Sequence, residues 1–154
     1  METNIILIGM PASGKTTIGI ELSKILKDYT LIDTDSFIER SEGLTVSEIF
    51  KKNSEDYFRK LEYDAIKLLS VGKKKIISIG GGAFENPDTR GTLLRFGKVF
   101  YLKSDLDVLY YRLSNDKLRP LLQQGDVQET LKNLLNKQNK MFSKPKLMQG
   151  MQLQ

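Results

Sequence analysis

The stretch IILIGMPASGKTTIG, residues 5–19, decides the fold of this chain. Its first residues are apolar and predict a short buried strand, and the residues from Lys15 onward have the pattern of a helix. Between them, residues 9–16 read GMPASGKT and match G-x-x-x-x-G-K-[ST] at every fixed position. A strand, a glycine-framed loop and a helix in this order predict a phosphate-binding loop.

The fixed positions of this loop have physical reasons. Gly9 and Gly14 permit backbone angles that turn N–H groups toward phosphate oxygens, and the positive end of the following helix favours anions. Lys15 can reach the β- and γ-phosphates, and the hydroxyl of Thr16 can bind Mg²⁺. The predicted nucleotide contacts in this stretch are Gly9, Ala12, Ser13, Gly14, Lys15, Thr16 and Thr17.

The loop predicts a nucleoside triphosphate, but it does not separate kinases from GTPases, ATPases or motors. The sequence contains no guanine-reading N-K-x-D pattern, which disfavours a signalling GTPase. The small size of the chain and the lack of an obvious coupling domain favour a kinase of a small molecule or a nucleotide.

The composition limits the available chemistry. The 154 residues include no cysteine and no histidine, which excludes disulfides, thiolate metal sites and catalysis by histidine. The net charge of +5 comes from scattered lysines without interleaved aromatic residues, so nucleic acid is not the expected partner. We read no export signal and no apolar run long enough to cross a membrane. We therefore expect a cytoplasmic protein without a membrane partner, and we expect a monomer.

Apolar runs alternate with helical patterns, which predicts an α/β fold with three layers and a central parallel sheet, as in P-loop NTPases. Strands are expected near residues 4–8, 30–33, 75–79 and 99–102. Helices are expected at residues 15–27, 36–41, 46–52, 55–70, 87–96, 106–113 and 127–142. One kinase domain is predicted over residues 1–143. Residues 144–154, KPKLMQGMQLQ, have no clear period and predict an irregular tail.

Two carboxylates follow the second predicted strand, in the segment LIDTDSF. On an extended segment, Asp33 and Asp35 would point to the same side, toward the sheet edge where open α/β folds bind ligands. One carboxylate could support Mg²⁺, and the other could accept the proton of an attacking hydroxyl. An equally good interpretation is that Asp35 only caps a helix that begins at Ser36.

Two further segments carry candidate ligand contacts. The third predicted strand ends in Gly80, Gly81 and Gly82, whose bare backbone could bind a polar ligand, with a tight turn as the alternative. Arg119 lies in the polar stretch NDKLRPLL and could close over the phosphates as part of a lid at about residues 114–125. A single loop arginine is usually a surface residue, so Arg119 carries weight only together with the other segments.

In this order and spacing, the phosphate loop, DTD at 33–35, FRKLE at 58–62, the triple glycine and RPLL at 119–122 resemble the shikimate kinase family. The resemblance covers residues 5–142, most of the chain. It implies ATP-dependent phosphorylation of the 3-hydroxyl of shikimate, a reaction of aromatic amino acid biosynthesis, with Mg²⁺. It also implies a parallel five-stranded sheet with the strand of the phosphate loop at its centre, and a lid that closes over bound ligands.

The resemblance implies roles for single residues on the acceptor side and at the phosphates. Asp35 would bind the substrate hydroxyls and act as, or near, the catalytic base. Asp33 would support the Mg²⁺ held by Thr16, and Lys15 would be catalytic at the phosphates. Arg59 would pair with the shikimate carboxylate, and the triple glycine would offer backbone groups to the ring hydroxyls.

Other implied roles lie on the nucleotide side and in the pocket wall. Arg119 would be the catalytic lid arginine on the phosphates, and Arg112 would lie against the adenine. Phe50 and Phe58 would line the apolar side of the substrate pocket, although both fit plain core positions equally well.

Two departures from the family pattern affect these expectations. Gln138 stands where the family has a second carboxylate-binding arginine, so it can hydrogen-bond shikimate without a charge. The tail KPKLMQGMQLQ stands where the family continues into a fifth strand, an adenine loop and a final helix. We therefore expect the C-terminal strand and helix to be missing or altered. Two alternatives stay open: a kinase of another small hydroxy acid such as gluconate, and a non-catalytic nucleotide-binding homologue.

Overall fold

The computed structural model describes residues 3–10, 13–103, 107–108, 129, 132–133, 135–136 and 151–153. Its strands are β1 Asn4–Gly9, β2 Thr30–Asp33, β3 Lys75–Gly80, β4 Gly97–Leu102 and β5 Met151–Leu153. Its helices are α1 Lys15–Ile25, α2 Thr34–Glu42, α3 Val46–Lys52, α4 Glu55–Leu69 and α5 Pro87–Phe96, and a 3₁₀ helix covers Gly81–Glu85. The four predicted strands and the first five predicted helices are confirmed, with some ends shifted by one or two residues. Most of the last two predicted helices lies outside the described residues, although residues 107–108, 129, 132–133 and 135–136 within them are helical.

The strands pair in parallel in the order β2-β3-β1-β4-β5. Because all of them run in the same direction, their carboxyl ends meet at one edge of the sheet, where ligands of open α/β sheets bind. β1, the strand before the phosphate loop, lies in the centre between β3 and β4. The loop therefore emerges at the middle of this edge.

Helices cover both faces of the sheet. Side chains alternate along β1, so neighbouring residues face opposite sides. Ile6 and Ile8 pack in the main core with Ile66 of α4 and Leu93 of α5. Leu7 points to the other face, since a Cβ on Gly19 of α1 would lie 3.7 Å from the Cδ1 of Leu7. This arrangement confirms the predicted three-layer α/β architecture.

A second apolar cluster joins α2, α3 and α4. Its buried members are Ile38, Ile49, Phe58 and Ala65. The rings of Phe50 and Phe58 lie 5.0 Å apart between centroids, and Phe50 packs against the same cluster. The cluster holds α4, the helix that carries Arg59, against the two helices that follow β2. Both rings therefore have a core contact, and their role in the wall of the substrate pocket stays a prediction.

The C-terminal strand, which was expected to be missing or altered, is present in a short form. Met151–Leu153 forms β5, which pairs in parallel with β4 from Val99–Met151 to Tyr101–Leu153. The tail is therefore not irregular throughout. The strand has only three residues, too few for alternation to identify it, so its position comes from pairing with β4 rather than from a local pattern. In the described part of the chain, no helix is long and apolar enough to cross a membrane.

Candidate active site

The start of α1 differs from the starts of the other numbered helices. The side chains that cap α2, α3, α4 and α5 belong to Asp33, Thr45, Ser54 and Asn86. At the start of α1 stands Gly14, with a φ of 104° and no side-chain cap. Glycine suits this left-handed backbone, and the first-turn N–H groups of α1 are oriented as an anion site requires.

Close packing at the end of β1 explains the first glycine of the loop. A Cβ on Gly9 would lie 2.8 Å from the carbonyl oxygen of Leu102 and 2.8 Å from the Oγ of Ser13, so any side chain would push the loop away from β4. The Oγ of Ser13 is buried and has no hydrogen-bond partner among the described residues. A buried hydroxyl of this kind is suited to a ligand oxygen that enters the loop.

The ammonium of Lys15 lies back over the loop. Its Nζ donates to the carbonyl oxygens of Gly9 at 2.8 Å and of Met10 at 2.9 Å. Thr16 and Thr17 are exposed in the first turn of α1. The structure therefore brings together Gly9, Ser13, Gly14, Lys15 and Thr16, while Ala12 lies outside the described residues.

The two aspartates have different local roles from those expected on an extended segment. α2 begins at Thr34, so Asp33 ends β2 while Asp35 lies in the first helical turn. Asp33, not Asp35, is the cap: its Oδ1 accepts the N–H of Ser36 at 3.1 Å. The interpretation of Asp35 as the cap is therefore wrong, and so is the argument that both residues alternate along a strand. Asp33 and Asp35 still stand at the carboxyl edge of the sheet.

Strand register places the phosphate loop beside the triple glycine. Gly9 of β1 is in register with Gly80 of β3, and Asp33 of β2 is in register with Ser78 of β3. The buried hydroxyl of Thr34 donates to the carbonyl oxygen of Ser78 at 3.1 Å and fixes the start of α2 on β3. The three segments predicted to carry the chemistry therefore meet on adjacent strand ends.

Arg59 lies on the triple glycine through a group of contacts that we call the Arg59 cluster: Arg59, Glu55, Glu62 and Gly82. The Nη1 of Arg59 donates to Glu62 at 2.9 Å, and its Nη2 donates to Glu55 at 3.3 Å. A Cβ on Gly82 would lie 2.6 Å from the Nη2. Burial disfavours the charge of Arg59, but the two carboxylates outweigh it and raise the pKa of Arg59 above its ordinary value.

Glu62 is a functional candidate to which we assigned no role from the sequence. Its side chain is 4% exposed, and burial raises its pKa from an ordinary value of 4.5 to about 7 although Arg59 acts in the opposite direction. The nearby charge of Asp35 also raises the pKa of Glu62, which places both carboxylates in one electrostatic group. The available signal was the spacing, because residues 59 and 62 share a face of the amphipathic helix α4.

A magnesium ion fits the donor set at this edge. The described residues contain no group of three or more His, Cys, Asp or Glu side chains able to hold a metal. Mg²⁺ in phosphoryl-transfer sites needs no such group, because one or two protein oxygens suffice when phosphate and water complete the shell. The hydroxyl of Thr16 and the carboxylate of Asp33 stand at the same edge of the sheet and can provide those oxygens.

Several predicted site residues lie outside the described residues. These are Ala12, Arg112, Arg119 with the lid at about 114–125, and Gln138. Their roles stay predictions.

The chain resembles known proteins in sequence and in fold. It matches the family described as Shikimate kinase over residues 11–149. It is 46% identical to a shikimate kinase of Clostridium botulinum over 135 residues. This match covers 84% of this chain and 79% of the relative. A shikimate kinase from Acinetobacter baumannii, solved in complex with shikimate, matches with a TM-score of 0.89 and 32% identity over 99% of this chain and 83% of that one. A gluconokinase from Sinorhizobium meliloti matches with a TM-score of 0.60 and 16% identity over 99% of this chain and 81% of that one, a likeness that shows the fold alone.

Proposed function

The chain belongs to the shikimate kinase family, and from that premise we propose that it transfers the γ-phosphoryl group of ATP to the 3-hydroxyl of shikimate. The observation that carries this proposal is the register of β1 and β3. It sets the phosphate loop at Gly9 beside Gly80, at the start of the triple glycine on which the guanidinium of Arg59 lies. A kinase with a carboxylated acceptor needs a phosphate site next to a group that binds carboxylate.

On the donor side, the loop backbone and Lys15 bind the phosphates of ATP, and Lys15 stabilises the charge that develops during transfer. The position of the Lys15 ammonium on the loop carbonyls supports this role, because it already lies where phosphate oxygens enter. Thr16 and Asp33 would hold Mg²⁺, which would neutralise charge on the phosphate oxygens. Arg119 on the lid and Arg112 at the adenine complete the proposed nucleotide site.

On the acceptor side, Asp35 binds the substrate hydroxyls and accepts the proton of the 3-hydroxyl as it attacks. Its place in the first turn of α2, near Glu62, supports this role because the surroundings are only partly open to water. Arg59 binds the carboxylate of shikimate, and backbone groups of Gly80–82 bind its ring hydroxyls. Gln138 provides a neutral second contact to the carboxylate.

The test is an acceptor panel with product identification. The purified protein is assayed for ADP release with shikimate, gluconate and nucleoside monophosphates, and the phosphorylated product is located by ³¹P NMR. We expect release only with shikimate, with phosphate on its 3-oxygen. If gluconate is phosphorylated and shikimate is not, the protein is a kinase of another small hydroxy acid and the proposal fails. If no acceptor is phosphorylated, the non-catalytic nucleotide-binding homologue is favoured.

An Asp35→Asn preparation, purified in parallel, guards against contaminating kinase. We expect its shikimate-dependent ADP release to be far below that of the parent protein, because asparagine keeps the shape but cannot accept the proton. Equal rates would show that the turnover does not come from the proposed site.

A monomeric state, a cytoplasmic location and the absence of nucleic-acid or membrane partners stay predictions. Sedimentation would measure the first of them.

A further inference from the structure

The position of Gly82 is explained by the arginine above it rather than by its backbone. A Cβ at Gly82 would lie 2.6 Å from the Nη2 of Arg59, 3.0 Å from its Cζ and 3.0 Å from its Nη1. Three atoms of the guanidinium therefore lie too close to the position of this Cβ for a methyl group to fit without a shift. Among the described residues, positive φ angles at glycine occur only at Gly14, Gly43 and Gly72, so the backbone at position 82 could accommodate alanine. A Cβ on the neighbouring Gly80 would meet nothing within 4 Å.

The guanidinium has few ways to move aside. Its Nη1 is held at 2.9 Å by Glu62, whose side chain is 4% exposed and packed in the interior. Its Cζ lies 5.6 Å from the ring centroid of Phe58, which belongs to the second apolar cluster. Glu55, which accepts from the Nη2, is 57% exposed and is the solvent side of the cluster. A methyl group at position 82 would therefore push the guanidinium toward solvent and away from Glu62.

We propose that Gly82 is a positioning residue whose missing side chain sets where Arg59 presents its donors to the carboxylate of the acceptor. This inference rests on the proposed function, in which Arg59 binds that carboxylate. A guanidinium binds carboxylate through two parallel N–H donors, so a shift of its plane misaligns both hydrogen bonds together. Gly82 is thereby a determinant of acceptor affinity without any contact between a side chain and the acceptor.

The first experiment compares Gly82→Ala with Gly91→Ala. Gly91 lies on α5 with an ordinary φ, and a Cβ there would meet nothing within 4 Å, so it is a control for adding a methyl group. We expect Gly82→Ala to raise the shikimate KM about 10- to 100-fold, the scale of a misplaced binding group, with the ATP KM within about twofold of the parent. Gly91→Ala should leave both values unchanged. A Gly82→Ala enzyme with an unchanged shikimate KM would overturn the proposal.

The second experiment is a double-mutant cycle with Arg59→Ala, which removes the side chain that the methyl group would strike. If Gly82 acts through Arg59, adding Gly82→Ala to Arg59→Ala changes the shikimate KM by less than about twofold. If the KM of the double variant rises by the product of the two single increases, Gly82 acts on the substrate or the fold independently of Arg59, and the proposal fails. A purely structural role of Gly82 would not produce this coupling.

The Tm of the parent, the two single variants and the double variant is also measured, without any substrate. Gly82→Ala should lower the Tm of the parent, and the decrease should vanish in the Arg59→Ala background, because the contact is then absent. This readout separates the two proposals: a protein that does not phosphorylate shikimate can still show the coupling. If Gly82→Ala does not fold alone but folds together with Arg59→Ala, the contact is supported. If Arg59→Ala alone folds but neither protein with Gly82→Ala does, position 82 needs glycine for another reason and the inference is wrong.

Discussion

The phosphate loop and the Arg59 cluster lie at the same sheet edge but are built from different parts of the protein. The loop is contiguous in sequence, and its geometry depends on the backbone: a left-handed Gly14, an uncapped helix start and a close approach of Gly9 to β4. The Arg59 cluster joins α4 to the 3₁₀ helix after β3, and its geometry depends on side chains, burial and charge.

This difference decides how each region responds to change. Backbone N–H donors do not titrate, so the part of the loop built from them should be insensitive to pH. The Arg59 cluster contains a buried carboxyl group whose pKa is raised to about 7, so its charge balance changes within the range in which enzymes work. We therefore expect the loop to determine turnover and the cluster to determine acceptor affinity and pH dependence.

The largest effect is expected at the loop. Lys15→Met removes the ammonium that neutralises phosphate charge, and we expect kcat to fall about 10³-fold. The matched control is Lys24→Met, which removes an exposed lysine of the same helix that pairs only with Glu21 among the contacts seen. Steady-state kinetics and a thermal melt of both variants are the measurement. A Lys15→Met enzyme within about tenfold of the parent kcat would contradict the proposed catalytic role of the loop.

The second effect is expected in acceptor affinity alone. Arg59→Ala removes a charged donor pair, and we expect the shikimate KM to rise about 10- to 100-fold, the scale of a lost charged hydrogen bond. Lys60→Ala is the control, since it removes an exposed positive charge one residue away on α4. The ATP KM should stay within about twofold of the parent value. An equal increase in the ATP KM would show that the two regions are not separable.

Most of the fold could be predicted because its signals are local. The four longer strands are apolar runs, and the phosphate loop is a fixed pattern between a strand and a helix. The family resemblance implied a fifth strand, but its position in this tail could not be predicted, because three residues are too few for a local pattern and the strand depends on its pairing with β4.

The sequence predicted which segments meet at the sheet edge, but it did not predict their arrangement there. The segment DTDS offers two aspartates that could cap a helix, and the sequence does not show that the helix starts at Thr34 and uses Asp33. The link between Arg59 and Gly82 joins residues far apart in sequence, and it depends on the packing of α4 against the 3₁₀ helix. No local pattern contains such a contact. Glu62 could have been found from its helical spacing to Arg59, but its raised pKa depends on burial.

The third prediction concerns the pH dependence of stability. The folded-state pKa of Glu62, about 7, lies above its ordinary value of 4.5, so the folded protein holds this proton more tightly than the unfolded chain does. Its contribution is therefore fully present below about pH 4.5 and is lost as the pH rises through about 7, a change of about 3 kcal/mol. Glu62→Gln removes this titration, so its free energy of unfolding should fall less between these pH values.

The measurement is urea unfolding of the parent and variant proteins at a series of pH values. Asp64→Asn on α4 is the control, because it removes an exposed carboxylate of the same helix. Its pH profile should parallel that of the parent. If Glu62→Gln also parallels the parent, then the carboxyl group of Glu62 is not the source of the pH dependence, and the Arg59 cluster is electrostatically no different from the exposed surface.

The smallest effect is expected at the exposed side of the Arg59 cluster. Glu55 accepts a hydrogen bond from the Nη2 of Arg59 at 3.3 Å, and its side chain is 57% exposed. Its carboxylate therefore competes with an acceptor carboxylate for the same donor. Glu55→Gln should lower the shikimate KM about two- to threefold, because exposed ion pairs are weak, and the difference should shrink in high salt. Asp56→Asn removes the same charge from the same helical turn but not from the ion pairs of Arg59 with Glu55 and Glu62, and it should leave the KM unchanged. A higher KM in Glu55→Gln would show instead that Glu55 holds Arg59 in its binding position, which would make the exposed carboxylate a support of the site rather than a competitor.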